Sequence, residues 1–281
     1  MNIKNNESKI ICIYHGNCQD GFGAAWAVHH ALGNEVEFYK GIHQQSPPDV
    51  TGLNVLLVDF SYKREVLLEM LKTAASITIL DHHISAQKDL SDLMATGQIK
   101  GLFDMSKSGA MLAWEWFHPE LAAPKLIEHI QDRDLWQFRL PSTKEITSAL
   151  ASYPYDFSVW DKLMSGNQQD FDRMRCDGDA IERRMQIDIQ TLIASGVRRM
   201  NIGGYNVPVL NVPASYVSDA GHILSKDEPF AVCYWDHAHG RAFSLRSSEA
   251  GIDVSAVAMK YGGGGHVNAA GFTAMTGWEG E

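Results

Sequence analysis

Apolar and polar positions follow two different periods along the first half of the chain. "KIICIYH" (9–15), "VLLVDF" (55–60) and "SITILDHH" (76–83) are short, nearly continuous apolar runs. "GFGAAWAVHHAL" (21–32) and "YKREVLLEMLKTA" (62–74) instead space their apolar residues helically, with Ala24, Ala25, Val28 and Leu32 on one side of the first. Continuous apolar strands separated by amphipathic helices predict a parallel sheet covered on both faces. Ligands of such sheets bind beyond the carboxyl ends of the strands. From about Asp156 to Ala194 the pattern becomes long, polar and helical, as expected of a linker between domains. After it come "NVPVLNV", "PFAVCYWDH" and "RAFSLRSS", then the glycine run "YGGGGHVNAAGF". The predicted fold class is α/β: a parallel-sheet domain over 1–155, a helical linker over 156–196 and a smaller α/β domain over 197–281.

The polar residues interrupt this pattern at informative places. "LDHH" closes the third apolar run with groups that resist burial, and adjacent strand residues face opposite ways, so His82 and His83 cannot enter one core together. His15 ends the first strand, Asp59 the second, and Asp81-His82-His83 the third; Asp20 stands in the turn before the first helix. "LIEHIQDRDLW" adds Asp132 and Asp134 after a helical stretch. Any one strand-end acid is adequately explained as a cap or turn former. Several on the predicted ligand edge point to a shared site. Imidazole and carboxylate donors without cysteine suit Mn²⁺, Fe²⁺, Zn²⁺ or Mg²⁺. A carboxylate such as Asp59 could bridge two ions about 4 Å apart, the arrangement that supports displacement at phosphorus. In the C-terminal domain, Gly263, Gly264 and Gly265 allow close backbone approach to an anion. His266 follows them, the helix-like "VNAAG" could offer its N-terminus, and Arg246 could clamp a phosphate.

Composition narrows the partners. The 281 residues are 45% hydrophobic and 21% charged, with 24 basic against 34 acidic residues and a net charge of −10. Such a surface repels long polyanions, so a small phosphorylated ligand is expected in place of long duplex nucleic acid. The polar start and the lack of any ~18-residue apolar run give no sign of a secretory leader or a membrane partner. The scattered Cys12, Cys18, Cys176 and Cys233 fit a reducing cytoplasm better than a disulfide framework.

Five motifs in order, "YHGNCQDGFGAAW", "LLVDFS", "ILDHH", "IQDRDLW" and "GGGGHVNAAGF", resemble the DHH phosphoesterase family in its subgroup with a C-terminal DHHA1 domain. The resemblance spans nearly the whole chain. It implies a metal-dependent hydrolase of short oligonucleotides or dinucleotides such as pGpG, with Mn²⁺ (or Mg²⁺) as cofactor. It leaves open a phosphatase acting on polyphosphate, pyrophosphate or a nucleotide 3′-phosphate, and it allows a homodimer. By the same resemblance His15, Asp20 and Asp59 would hold one ion. Asp59 would bridge to a second held by His82 and Asp132, with Asp81 orienting its neighbours and His83 facing the scissile phosphate. Arg246, Gly263, Gly264, Gly265 and His266 would hold the substrate. One departure stands out: the family's first motif is His-x-x-x-Asp-x-Asp, whereas "HGNCQDGF" is one residue longer and has Phe22 where the second acid is expected, so the second metal position loses a carboxylate unless Asn17, Asp134 or water substitutes. Phe22 is also the one hint of a catalytically decayed, nucleotide-binding regulator. Phe22 or Trp26 could stack on a base, although helix packing accounts for both, and Ser108-Gly109 reads as a helix start near the site.

Overall fold

A computed structural model describes residues 9–43 and 45–281; the polar start of the sequence, residues 1–8, lies outside the described residues. Strands β1 (Ile10–His15), β2 (Val36–Gly41), β3 (Asn54–Val58), β4 (Ser76–Asp81) and β5 (Lys100–Phe103) form one all-parallel sheet in the order β2-β1-β3-β4-β5. Helices α1 (Gln19–Leu32), α2 (Arg64–Met70), α3 (Ile84–Ala95), α4 (Gly109–Phe117), α5 (Lys125–Asp134), α6 (Thr143–Leu150) and α7 (Phe157–Met164) accompany it.

The apolar runs become strands because both faces of each are covered. Cys12, Tyr14, Leu56, Val58 and Leu80 belong to one core with α1, α4 and α5. Their neighbours Ile11, Ile13, Val55, Leu57, Ile77 and Ile79 belong to a second core with α2 and α3. Each fully buried Ile, Leu or Val side chain contributes about 1.5–3 kcal/mol. The edge strands β2 and β5 lie outside the predicted elements because "VEFYKG" and "KGLF" lack a continuous apolar run: β2 buries only its two end residues and β5 buries none fully.

The chain divides within helix α8 (Gln168–Gly196) into two units, Met1–Glu182 and Arg183–Glu281. The stretch expected as a linker is helical. Its Trp160, Met164, Phe171 and Met174 join the core of the first unit, whereas Met185 and Ile189 join one in the second. The second unit contains β6 (Arg198–Ile202), β7 (Tyr205–Asn211), α9 (Val217–Leu224), β8 (Ala231–His237), β9 (Gly240–Arg246), α10 (Val254–Met259), β10 (Gly264–Gly265) and β11 (Ala269–Ala274). Its sheet runs β10-β11-β9-β8-β7-β6 and is antiparallel except for the β7–β8 pair. Among the described residues, no helix is long and apolar enough to cross a membrane.

The order of the first sheet has one consequence for function. Chain direction along the sheet reverses at β1, which lies between β2 and β3, and the crevice beyond such a switch point is the usual ligand site of open parallel sheets.

Candidate metal centre

Each donor reaches that crevice for a local reason. β1 ends at His15, and the chain turns through Gly16 and Asn17, the latter at φ 64°. Cys18 then caps α1, its Sγ accepting from the Gly21 amide at 3.1 Å. Gly21 is forced: a Cβ there would lie 2.2 Å from the His15 carbonyl oxygen. Asp20 lies in the first turn of α1, not ahead of it, and accepts from the Gly109 and Ala110 amides at 2.6 and 2.9 Å. It thereby meets the N-terminus of α4, where negative charge is favoured. Ser108 does cap that helix, accepting from the Met111 amide.

Asp59 follows β3 in the left-handed region at φ 52°, with its own amide donating to the Leu80 carbonyl at 2.9 Å. A non-glycine residue in this conformation is strained by about 1–3 kcal/mol and persists only where its surroundings over-determine it. Gly109 is part of that surrounding, since a Cβ on it would lie 2.3 Å from the Asp59 Cβ.

The carboxylate of Asp59 divides its oxygens between two groups of donors. Oδ2 lies 3.5 Å from His15 Nδ1 and 3.5 Å from Cys18 Sγ, and these two are 3.3 Å apart. Oδ1 lies 3.0 Å from His82 Nε2, which is also 3.6 Å from Asp20 Oδ2 and 3.7 Å from Asp134 Oδ2. Asp81 accepts from the His82 amide at 2.7 Å, from His83 Nδ1 at 2.6 Å and from the Ser61 hydroxyl at 3.1 Å. The two adjacent histidines therefore diverge. His82 is buried among the acids, while His83 retains 20% of its side-chain surface exposed.

Of the expected ligands, His15, Asp20, Asp59, His82, and the orienting Asp81 and His83, come together. Asp132 does not. Its carboxylate accepts from the Arg139 and Leu140 amides at 2.8 and 3.0 Å and from the Thr143 hydroxyl at 2.6 Å. Asp134 faces His82 in its place. Two residues apart on a helix is about 200° of rotation, so one of this pair faces away when the other faces in. The phase was readable: Asp134 lies four residues after Ile130 and seven after Ile127, both buried.

Two further expectations are corrected. The cluster is not free of cysteine, because Cys18 Sγ stands 3.3 Å from His15 Nδ1 and 3.5 Å from Asp59 Oδ2. Asp20 falls on the His82 side of Asp59 instead of beside His15. Phe22 is absent from the cluster: it packs in an aromatic core with rings of Tyr155, Phe157 and Trp160 at 5.3, 5.0 and 4.8 Å. Trp26 is buried too, stacked on Trp114 and donating to Asp161. His43, unremarked in the sequence, places its ring 5.2 Å from that of His15.

Charge at the cluster is unbalanced toward the negative. Burial alone would raise Asp59, but hydrogen bonds from His15 and His82 hold it well below the ordinary carboxylate range. Burial and the neighbouring Asp59 and Asp134 push Asp20 well above it. Burial opposes protonation of His82, yet Asp134, Asp59 and Asp20 together push it up to about 11. Burial pushes the Cys18 thiol up to about 11. Carboxylates converging from separate segments on a buried imidazole need positive charge, supplied either by protons or by a cation. Carboxylate and imidazole together are a donor set for divalent metals, and the acidic and histidine residues here could hold one.

In the second unit, β9 ends at Arg246, which pairs in register with Ala269. The guanidinium donates to Ser218, Ser244 and the Leu245 carbonyl at 2.9 Å each. Gly264 and Gly265 form β10 and pair with Gly271 and Ala270. His266 and Ala269 close a turn by reciprocal backbone hydrogen bonds of 2.8 and 3.3 Å. "VNAAG" is thus a turn running into β11, not a helix start. The glycines serve a tight hairpin: Gly265 adopts φ 139°, and a Cβ on Gly263 would lie 2.0 Å from the Gly271 carbonyl oxygen. Arg246 and the His266 turn remain neighbours across one strand pair.

No family model matches the chain. An uncharacterized protein of Acanthamoeba polyphaga mimivirus is 30% identical over 293 residues, covering 96% of this chain and 68% of that protein. The oligoribonuclease NrnB of Bacillus subtilis is 22% identical over 297 residues, covering 92% of this chain and 71% of that protein. Among solved structures, a DHH domain described as belonging to a family of ribosomal proteins superimposes with a TM-score of 0.63 at 12% identity, over 95% of this chain and 83% of that one. The chain belongs to the DHH phosphoesterase family. This DHH phosphoesterase combines the all-parallel five-stranded sheet of its first unit with a second, mixed sheet.

Proposed function

We propose that this DHH phosphoesterase is a metal-dependent phosphodiesterase that hydrolyses short oligonucleotides or dinucleotides such as pGpG to mononucleotides. The observation that carries the reading is the buried Asp59 carboxylate, whose two oxygens face two separate donor groups. His15 and Asp59 would hold one divalent ion, and Asp59, His82, Asp20 and Asp134 would hold a second, Mn²⁺ or Mg²⁺ suiting the oxygen-rich position. Bound ions supply Lewis acidity at the phosphate and lower the pKa of water enough for attack near neutral pH.

The residues of the chain do the rest. Asp81 fixes the orientation of the His83 ring through Nδ1, and His83 stabilises charge on the phosphate or gives a proton to the leaving oxygen. Water adds to phosphorus, the bond to the departing nucleoside oxygen breaks, and that oxygen takes up a proton. Arg246 and the Gly263–His266 segment hold the substrate's other phosphate or nucleotide. The net charge of −10 favours a short substrate with few phosphates, and the likeness to an oligoribonuclease supports the same class. The packing of Phe22 in the aromatic core, with Asp134 Oδ2 3.7 Å from His82 Nε2, supports a working site over a decayed regulator.

The test is turnover of pGpG, a five-nucleotide RNA, adenosine 3′,5′-bisphosphate and tripolyphosphate in Mn²⁺, Mg²⁺ and chelator, by the native chain and by Asp59→Asn. Metal-dependent release of mononucleotides that disappears in Asp59→Asn is expected. Phosphate release from tripolyphosphate or the bisphosphate alone, or no turnover by folded, metal-loaded protein, overturns the proposal.

A further inference from the structure

We propose that Cys18 is a metal ligand, so that the two cation positions sharing Asp59 differ in chemistry. His15, Cys18 and Asp59 form an imidazole–thiolate–carboxylate position suited to a borderline-soft ion such as Zn²⁺. His82, Asp20, Asp134 and Asp59 form the harder nitrogen–oxygen position beside it. The inference rests on the two-ion reading of the cluster given above.

The geometry of the first triad is that of a metal site. His15 Nδ1, Cys18 Sγ and Asp59 Oδ2 make a nearly equilateral triangle with edges of 3.3, 3.5 and 3.5 Å. Bond lengths of ~2.0–2.3 Å to nitrogen, oxygen and sulfur at tetrahedral angles place such donors ~3.4–3.6 Å apart around Zn²⁺. Three protein donors leave a fourth position open, as catalytic zinc sites do. The three come from three different segments: the end of β1, the cap of α1 and the end of β3. Their approach is enforced by backbone that tolerates no alternative, at Gly21 against His15 and at Gly109 against Asp59.

Capping alone does not account for sulfur at this position. Ser, Asp and Asn are the preferred caps, and their oxygens accept an amide hydrogen bond better than sulfur does. A thiolate gives up cap strength and gains affinity for softer metals. The other cysteines have no such setting. Cys12 and Cys233 are buried and Cys176 is exposed, and among the described residues none of them shares a metal-competent group with His, Asp or Glu.

The experiment loads the full-length protein with Co²⁺ and records thiolate-to-cobalt charge-transfer absorption in the near ultraviolet, alongside bound zinc per chain and pGpG turnover. The native chain and Cys176→Ser show the absorption. Cys18→Ser loses it together with a whole equivalent of bound zinc, and Cys18→Asp loses it while retaining the zinc. Absence of the band from the native chain at saturating Co²⁺, or its persistence in Cys18→Ser, overturns the inference. Should both Cys18 variants fail to fold, X-ray absorption at the zinc edge of the native protein decides: a sulfur shell near ~2.3 Å supports ligation, and nitrogen and oxygen alone overturn it. Turnover without the band removes the cysteine ligand and leaves the phosphodiesterase. The band without turnover keeps the ligand and removes the phosphodiesterase.

Discussion

Replacing Gly109 by alanine tests whether the bridging carboxylate is held in place by backbone packing. Gly109 opens α4 in ordinary helical conformation, so helix propensity by itself favours alanine there by up to about 1 kcal/mol. The surroundings reverse that expectation. The added methyl would lie 2.3 Å from the Asp59 Cβ and 2.8 Å from its Cγ and Oδ1. Carbon atoms in contact sit ~3.5–4.0 Å apart, so α4 and Asp59 must separate by at least ~1.2 Å. Asp59 has little room to yield, being buried, left-handed and bonded through its amide to Leu80. The methyl also disturbs the two amides that hold Asp20. Overpacking of this kind costs about 1–3 kcal/mol of stability, and a ~1 Å displacement of a reacting constellation costs ~10²-fold in rate. Metal-dependent hydrolysis of pGpG is therefore expected to fall ~10²-fold in Gly109→Ala, with a midpoint of urea unfolding lowered to match. Ser108→Ala serves as the comparison: it removes a cap, costs about 1 kcal/mol and leaves Asp59 untouched. Activity of Gly109→Ala within about tenfold of the native chain would refute the packing argument.

Asp132→Asn and Asp134→Asn should fail in opposite ways. The first loses about 1–3 kcal/mol of stability through its amide and Thr143 bonds but keeps metal binding, and the second binds less metal but unfolds normally; equal effects in calorimetry and metal titration would contradict the assignment. Burial raises Asp132, but the Thr143, Arg139 and Leu140 bonds outweigh it and hold the carboxyl below its ordinary value. Its stabilisation is thus present above the unfolded carboxyl's pKa of about 4 and is lost as pH falls through the lower folded value, so the native and Asp132→Asn chains should converge in stability in that acid window and differ near neutral pH. Phe22→Asp places a charge among Tyr155, Phe157 and Trp160 and should destabilise the fold severely without adding a metal site; tighter Mn²⁺ binding at unchanged stability would restore the motif alignment that puts an acid there. Arg246→Ala should raise KM for pGpG about tenfold to a hundredfold with a smaller change in kcat, as expected for loss of charge-assisted bonds worth ~1.5–3 kcal/mol, and an unchanged KM would remove Arg246 from substrate binding.

The apolar runs at 9–15, 55–60 and 76–83 determined the three central strands, because burial on both faces demands continuous hydrophobicity and little else in a soluble chain does. Their carboxyl ends in turn determined where His15, Asp59 and the Asp81-His82-His83 run would stand. The edge strands β2 and β5 were illegible, since an edge strand needs one buried face and "VEFYKG" carries the alternation too weakly to separate it from loop. The choice of Asp134 over Asp132 was present as helical phase, four and seven residues after buried isoleucines. What fixed it was Asp132 finding full satisfaction in the amides of 139 and 140 and in Thr143, which lie beyond the helix and which no local pattern announces. Only the tertiary structure brought Cys18 against Asp59, 41 residues away in the chain, and removed Phe22 to an aromatic core completed by residues 155–160. Local sequence sets which side chains stand at a strand or helix end, through period and burial. Which of them share one cation is decided by distances of a few ångströms between segments, and those depend on glycine contacts such as Gly109 on Asp59 that only the assembled fold creates.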